Sequence, residues 1–301
     1  MDIDLKPGRY VVAVSGGVDS VALLHVLHHK NLYYRVKPWE LVVGHFDHGM
    51  REDSRLDREL VQELAKVYGL QFEYEEGRLG GGVSEAAARS ARYGFLERTK
   101  KTAGAQGIIT AHHQDDLLET AVINLVRGTG RRGLSSLKST AQIARPLLNV
   151  TKKDLLNYAH EHQLRWREDS TNQDTKYLRN HIRHNILPRF SADDKQLLLQ
   201  HIHKMHEQNR KIDRHVATYL DAHPAVERLD RQRFILLPHI VAQEVMASWL
   251  RTCHVRSFDR NTILRLVIAT KTCVPGKQID VTNHYFVSVG VKYLALQTSD
   301  R

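Results

Sequence analysis

Residues 1–126 alternate short β-rich apolar runs with longer stretches of helical periodicity, and this alternation constrains the fold more than any single motif. Apolar strands separated by helices pair in parallel, because each intervening helix returns the chain and covers a face of the sheet. Four such units can be read. Arg9 to Val14 is a strand, followed by a glycine-rich turn and a helix from about Ser20 to His29 with Val21, Leu24 and Leu27 on one side. Trp39 to Phe46 is the second strand, and the charged helix after it, from about Asp53 to Tyr68, stops at Gly69. Leu70 to Tyr74 is the third; past a glycine-rich stretch at Gly77 to Gly82, Ser84 and Glu85 open a helix to about Lys101. Gln106 to Thr110 is the fourth, leading to a helix from about Asp115 to Arg127. The expected fold class is α/β, a doubly wound and mostly parallel sheet.

Beyond this region the pattern changes. Residues 128–150 are rich in Gly, Ser and Arg and read as a connecting segment, and Thr151 with Asp154 starts a capped helix to about His162. Pro188 closes the first domain. The expected division is a catalytic domain over 1–189, a connecting helix over 190–220, and a smaller, mainly helical domain over 221–301 with a few strands near Tyr285 to Leu296. No apolar run approaches the ~20 residues that span a bilayer. The amino terminus MDIDLKPGRYVV has no signal-peptide pattern, and Cys253 and Cys273 are too few for a disulfide framework. A soluble protein of a reducing cytoplasm is expected. The net charge of +10 is uneven: residues 1–126 carry 15 basic and 18 acidic side chains, 127–190 carry 13 and 5, and 191–301 carry 16 and 11. The excess is either a solvated basic face or a nucleic-acid surface.

The chemistry-bearing residues lie where the strands end. Ser15, Gly16, Gly17, Val18, Asp19 and Ser20 join the first strand to its helix, the setting in which adjacent glycines turn several N–H groups toward one anion. No Lys-Ser/Thr ending follows, so this is not a Walker loop; a tight turn with no ligand is the plain alternative. His45, Asp47 and His48 end the second strand, at the edge where open α/β sheets bind ligands, though a His-rich turn or a metal site would explain them as well. Arg89 and Arg92 share a helix face and repel unless an anion or carboxylate lies between them; otherwise the face is simply solvated. His112, His113, Asp115 and Asp116 follow the fourth strand. Carboxylates at a helix amino terminus suit Mg²⁺, and the imidazoles suit phosphate contact or proton transfer; a transition-metal site is the competing reading. Arg127, Arg131 and Arg132 form a basic loop, and Arg179 and Arg183 stand four apart on one expected helical face, suited to phosphate contact.

Taken together, SGGVDS, HFDHG, EAAARSARYGFL, TAHHQDDLLETAVINLVRGTGRRGL, RPLL, EDSTN and YLRNHIR occur in the order and approximate spacing of tRNA(Ile)-lysidine synthetases. The chain resembles that family, part of the N-type ATP pyrophosphatase (PP-loop) superfamily, over residues 11–189; after about 190 only a helical domain following a connecting helix agrees. Ser136 stands where many relatives carry glycine, and longer relatives continue into a further carboxyl-terminal domain, so the resemblance is to a short form. It implies an adenine nucleotide alpha hydrolase-like fold and a cytoplasmic ligase. ATP adenylates the C2 carbonyl oxygen of the wobble cytidine in the CAU anticodon of an isoleucine tRNA, and the amine of L-lysine then displaces AMP, turning AUG reading into AUA reading. Carried onto this chain, ATP would contact residues 15–20, His45, Asp47 and His112; Asp19, Asp115 and Asp116 would ligate Mg²⁺; Asp19, Arg92, His113 and Asp116 would be catalytic, with either His112 or His113 at the α-phosphate. The tRNA phosphates would meet Arg127, Arg131, Arg132, Arg179 and Arg183, the last domain adding tRNA contacts. No membrane or obligate protein partner is expected, and a homodimer is left open. A tRNA thiolase would share the nucleotide loop but needs catalytic cysteines, a small-molecule synthetase leaves the basic segment unexplained, and a non-catalytic RNA-binding module leaves HHQDD idle.

Overall fold

The computed structural model describes residues 1, 3–33, 38–49, 53–77, 83–168, 178–221, 226–255 and 258–298. The stretch 78–82, residues 169–172 of EDSTN and Tyr177 lie outside that set. The chain divides into two units between Met205 and His206. In the first, strands β1 (Gly8–Ala13), β2 (Trp39–Asp47), β3 (Gln71–Glu76), β4 (Gly107–Ile109) and β5 (Ile143–Ala144) form one parallel sheet in the order β3-β2-β1-β4-β5. Helices α1 (Val18–Tyr33), α2 (Ser54–Val67), α3 (Glu85–Thr102) and α4 (Gln114–Val126) follow the first four strands in turn. The sheet is therefore doubly wound and parallel, as its alternation of strands and helices requires.

The strand period of two assigns each side chain to a face. Val12, Val14, Val43 and Ile109 pack with α1, α2 and Leu155, while Val11, Val42 and Ile108 pack with Phe95 and Leu96 of α3. The expectation that α1 buries one side is too narrow: Val21, Ala22, Leu23, Leu24, Val26 and Leu27 are all buried. Helix α6 (Lys152–Glu161) packs against it and takes the face that would otherwise meet water. Ser84 caps α3 by accepting from the Ala87 N–H at 3.2 Å, and Thr151 and Asp154 form the capping box of α6.

The segment 128–150 is more than a connection. It holds α5 (Arg131–Leu134) and the edge strand β5, whose two residues pair with Ile108 and Ile109. After the single turn α7 (Leu178–His181), the chain passes through a π-helical turn, Ile182–Ile186, and a 3₁₀ turn, Leu187–Arg189. Arg179 and Arg183 thus do not share one regular helical face. The long helix α8 (Ala192–Asp221) contains the division between the units.

The second unit packs α9 (Arg231–Ile235), α10 (His239–Thr252) and α11 (Arg260–Thr272) with a four-stranded antiparallel sheet. Its strands β6 (Arg228–Asp230), β7 (Gln278–Asp280), β8 (Tyr285–Val289) and β9 (Tyr293–Thr298) lie in the order β6-β9-β8-β7, so the sheet exceeds the terminal strands expected. Phe234, Trp249, Leu250 and Leu266 centre this core. Among the described residues, no helix is long and apolar enough to cross a membrane.

Gly44 tests the close approach of α3 to the sheet, because a Cβ there would stand 3.1 Å from both Leu96 Cδ2 and Val11 Cγ1. Gly44→Val is expected to overpack this seam and cost about 1–3 kcal/mol in urea unfolding; unchanged stability would contradict the packing.

Candidate active site

Strand order locates the site. The chain runs from β1 outward to β3 and then returns to β4 on the other side of β1, so the crevice at the carboxyl ends of β1 and β4 is the topological switch point. A cavity of about 270 Å³ opens there, lined by Ser15, Gly17, Asp19 and Ser20 after β1, His45 and Asp47 at the end of β2, Arg92 on α3, and His112 and Asp116 after β4. Four separate chain segments thus supply one cavity wall, and the expected nucleotide residues face one another.

The loop after β1 holds its own shape. Gly16 has φ +94°, which L side chains rarely adopt, so the turn requires glycine. The Ser20 hydroxyl donates to the Gly17 carbonyl at 2.9 Å and accepts from the Ser15 N–H at 3.1 Å. A Cβ on Gly17 would meet nothing closer than the Ser15 Oγ at 3.6 Å, so its open side is space a ligand can approach. Sequence reasoning missed the strap over this loop: the Arg167 N–H donates to the Gly16 carbonyl at 3.0 Å, while its guanidinium holds Asp57 at 2.7 Å and Asp53 at 2.6 Å. No local pattern signals a contact that spans more than 100 residues.

The two histidines after β4 take different places. His112 lines the cavity, whereas His113 is buried behind it, with Nε2 3.5 Å from both Asp19 and Asp116. Burial, with the guanidiniums of Arg145, Arg89 and Arg92 opposing Asp116, pushes His112 down to about 3, so its imidazole is neutral. For His113, burial works against the charged form, but the hydrogen bond to Asp19 and the charges of Asp116 and Asp19 prevail and raise its pKa. Burial likewise works against the Asp19 carboxylate, yet His113 and Lys152 hold its pKa below the usual carboxylate range. The Lys152 ammonium donates to Asp19 Oδ1 at 2.6 Å, a contact no spacing in the sequence announces.

The repulsion expected between Arg89 and Arg92 is met by an aromatic ring. Both guanidiniums lie on Tyr93, at 4.9 and 5.5 Å from its centroid. Arg145 joins them through Tyr93, and the charge of Arg179 reaches Arg92, so the cations converge beside His112. Of this cluster Arg92 lines the cavity, on a wall that also carries Asp19 and Asp116.

His45 donates Nδ1–H to the Val14 carbonyl at 2.8 Å, and burial keeps the ring neutral, leaving Nε2 a buried acceptor with no hydrogen-bond partner among the described residues. Asp47 accepts from the Gly49 N–H at 2.8 Å and so shapes its turn as well as the cavity. Asp115 does not line the cavity; its charge acts on His113. Arg183 corrects an expectation. Its Nε and Nη2 grip the Glu119 carboxylate at 2.5 and 2.9 Å and its Nη2 lies 3.5 Å from Asp116, so it ties α4 to the π-helical turn rather than standing open to a phosphate. Removing it would strand the buried Glu119 charge, a change worth on the order of 3 kcal/mol, at the low end because Arg183 keeps about a third of its surface exposed. Arg127 is exposed at the end of α4, and Arg131, Arg132 and Arg179 are half-buried. Asn124 bridges to this loop, donating to the Gly133 carbonyl at 2.8 Å and to Ser136 Oγ at 2.9 Å, so the serine at 136 is an anchor for the loop.

Among the described residues no three His, Cys, Asp or Glu side chains converge as a metal cage. A hard cation that keeps waters and phosphate oxygens needs only one or two carboxylates. Asp19 and Asp116, both on the cavity wall, fit that need.

The two histidines give a pH test by histidine ¹⁵N NMR. His113 should titrate above the ordinary value of 6.5, its contribution to stability complete below that value and lost as pH rises through the higher one, while His112 stays neutral down to about 3. A His112 that titrates near 6.5 would contradict the buried, guanidinium-lined setting.

Comparison with known proteins agrees with this geometry. Residues 3–190 match the family described as the PP-loop domain. The chain is 41% identical over 192 residues to a tRNA(Ile)-lysidine synthase of Thermotoga sp. (strain RQ2), covering 61% of this chain and 46% of that one. A tRNA(Ile)-lysidine synthase of Exiguobacterium sibiricum is 33% identical over 274 residues, covering 88% of this chain and 64% of the other. The chain thus spans about half to two thirds of the length of these relatives. In architecture it is similar to a U34-tRNA thiolase from Methanococcus maripaludis, with a TM-score of 0.54 at 14% identity, over 67% of this chain and 74% of that one. The doubly wound sheet, the glycine turn at its switch point and the match over residues 3–190 establish that the chain belongs to the PP-loop domain family.

Proposed function

We propose that this chain is a tRNA(Ile)-lysidine synthase, which uses ATP to adenylate the wobble cytidine of a CAU-anticodon isoleucine tRNA and then joins L-lysine to C2 of that base. The observation that carries the reading is the single cavity in which the Ser15–Ser20 loop, Arg92, His112 and Asp116 meet. The relatives named above support it.

In this reading the loop N–H groups and the Ser15 and Ser20 hydroxyls receive the phosphates, and the bare Nε2 of His45 accepts from the adenine amino group. Asp19 and Asp116 would hold Mg²⁺, which neutralises phosphate charge when bound. The cytidine C2 oxygen attacks the α-phosphorus and pyrophosphate leaves, while Arg92 and the neutral His112 stabilise the α-phosphoryl oxygens. The amine of lysine then attacks C2, AMP departs, and a carboxylate at this end of α4 orients the ammonium before it loses its proton. His113 is a positioning group, since it joins Asp19 and Asp116 from behind the wall. Arg127, Arg131, Arg132 and Arg179 supply tRNA phosphate contacts, which give affinity, whereas base contacts give choice. The work belongs in the cytoplasm, where tRNA and ATP are available.

A thiolase reading is disfavoured by the cysteines. Burial, aided by the charge of Glu227, pushes the Cys253 thiol up to about 11, far from the thiolate that sulfur chemistry needs, and Cys273 is 20 residues further along the same unit.

Incubation with tRNA, ATP and labelled lysine tests the proposal. Label should enter only the CAU isoleucine tRNA, with AMP released in equal amount. A chain that binds ATP and tRNA but incorporates no lysine would refute it.

A further inference from the structure

Helices α1 and α6 run side by side in the same direction, and their polar contacts keep one offset. Asp19 meets Lys152 and His25 meets Tyr158, both pairs 133 residues apart. The His25 Nδ1 lies 2.9 Å from the Tyr158 hydroxyl, and further along the rings of His29 and His162 stand 6.1 Å apart. Between these rungs Ala22 and Leu155 are fully buried in one core. A ladder with both apolar and polar rungs fixes the start of α6 beside the start of α1. Lys152 is therefore delivered to the mouth of the phosphate loop by backbone that cannot drift.

Its side chain is another matter. Asp19 carries two cationic partners, His113 and Lys152. His113 is buried and held between two carboxylates, whereas the Lys152 side chain is 36% exposed on a flexible four-carbon stem. A divalent cation on an Asp19 oxygen would lie against these two positive groups and repel them, and Lys152, on its flexible and partly exposed stem, is the one able to move away. The strongest anion within reach of its stem would be the β and γ phosphates of a nucleotide seated on the loop.

We propose that Lys152 is a further catalytic residue, a cation that exchanges between the Asp19 carboxylate and the pyrophosphate leaving group. On Asp19 it holds the carboxylate in place; on pyrophosphate it offsets the charge that develops as the bond to the α-phosphorus breaks. This rests on the ATP reading above.

Binding measurements on Lys152→Met and Lys152→Arg separate the two. For Lys152→Met, Mn²⁺ alone, followed by electron paramagnetic resonance, should bind more tightly, because its competitor on Asp19 is gone. ATP with Mg²⁺, followed by calorimetry, should bind about tenfold more weakly, the value of one charge-assisted hydrogen bond, while AMP, which lacks the leaving group, stays within about twofold. Lys152→Arg should recover most of the ATP binding. Equal losses for ATP and AMP, or weaker Mn²⁺ binding, would mean that Lys152 is only structural and would overturn the proposal. So would ATP binding unchanged in Lys152→Met. If Lys152→Met fails to fold, Lys152→Gln carries the same comparison. Wild-type protein that binds neither ATP nor AMP would instead overturn the underlying nucleotide reading.

Discussion

The pairing of β1 with β4, through Tyr10 with Gly107, Val11 with Ile108 and Val12 with Ile109, holds the rest of the site in register. It sets the loop after β1 against the loop after β4, which are about 95 residues apart in sequence, and so brings Asp19 within reach of His113. Were the fourth strand to pair at the β3 edge instead, the same motifs would point away from one another. The buried valines and isoleucines of these strands have no polar alternative, so the driving force for the pairing is the burial that also forms the core.

On this frame two kinds of charge are held by different partners. Carboxylates are clamped from behind the wall, Asp19 and Asp116, which line the cavity, through His113, and the buried Glu119 through Arg183. Guanidiniums gather around Tyr93, with Arg92, which lines the cavity, and Arg89 laid on its ring and Arg145 beside them. Such an arrangement holds like charges together by aromatic stacking and brings one guanidinium, Arg92, to a cavity whose wall also carries Asp19 and Asp116. Two neighbouring histidines with opposite shifts follow from it: the one facing the cations loses its proton readily, and the one between the carboxylates keeps it.

The doubly wound sheet was legible in the sequence because β1, β2 and β4 are mainly apolar runs and longer helical stretches alternate with them. The tight turn was legible because Gly16 and Gly17 sit between a strand and a helix, and Ser15, Gly17, Asp19, Ser20, His45, Asp47 and His112 of the expected set line one cavity. Strand β5 was not, since two residues in polar surroundings give no periodicity. The strap by Arg167 and the contact of Lys152 with Asp19 were hidden for a different reason. Both depend on which helices lie side by side, which the topology decides and no short window contains. Arg183 looked like a surface cation because spacing alone cannot distinguish a guanidinium that faces water from one that faces a buried glutamate.

The proposed function requires the cavity to adenylate a base in tRNA before any amine takes part. The direct test is to incubate the chain with a CAU-anticodon isoleucine tRNA and ATP labelled at the α-phosphate, in the absence of lysine. The account predicts that label becomes covalently attached to the tRNA, with pyrophosphate released, and that added lysine discharges it as AMP. Unlabelled tRNA from a chain that nevertheless binds both ATP and tRNA would contradict the account.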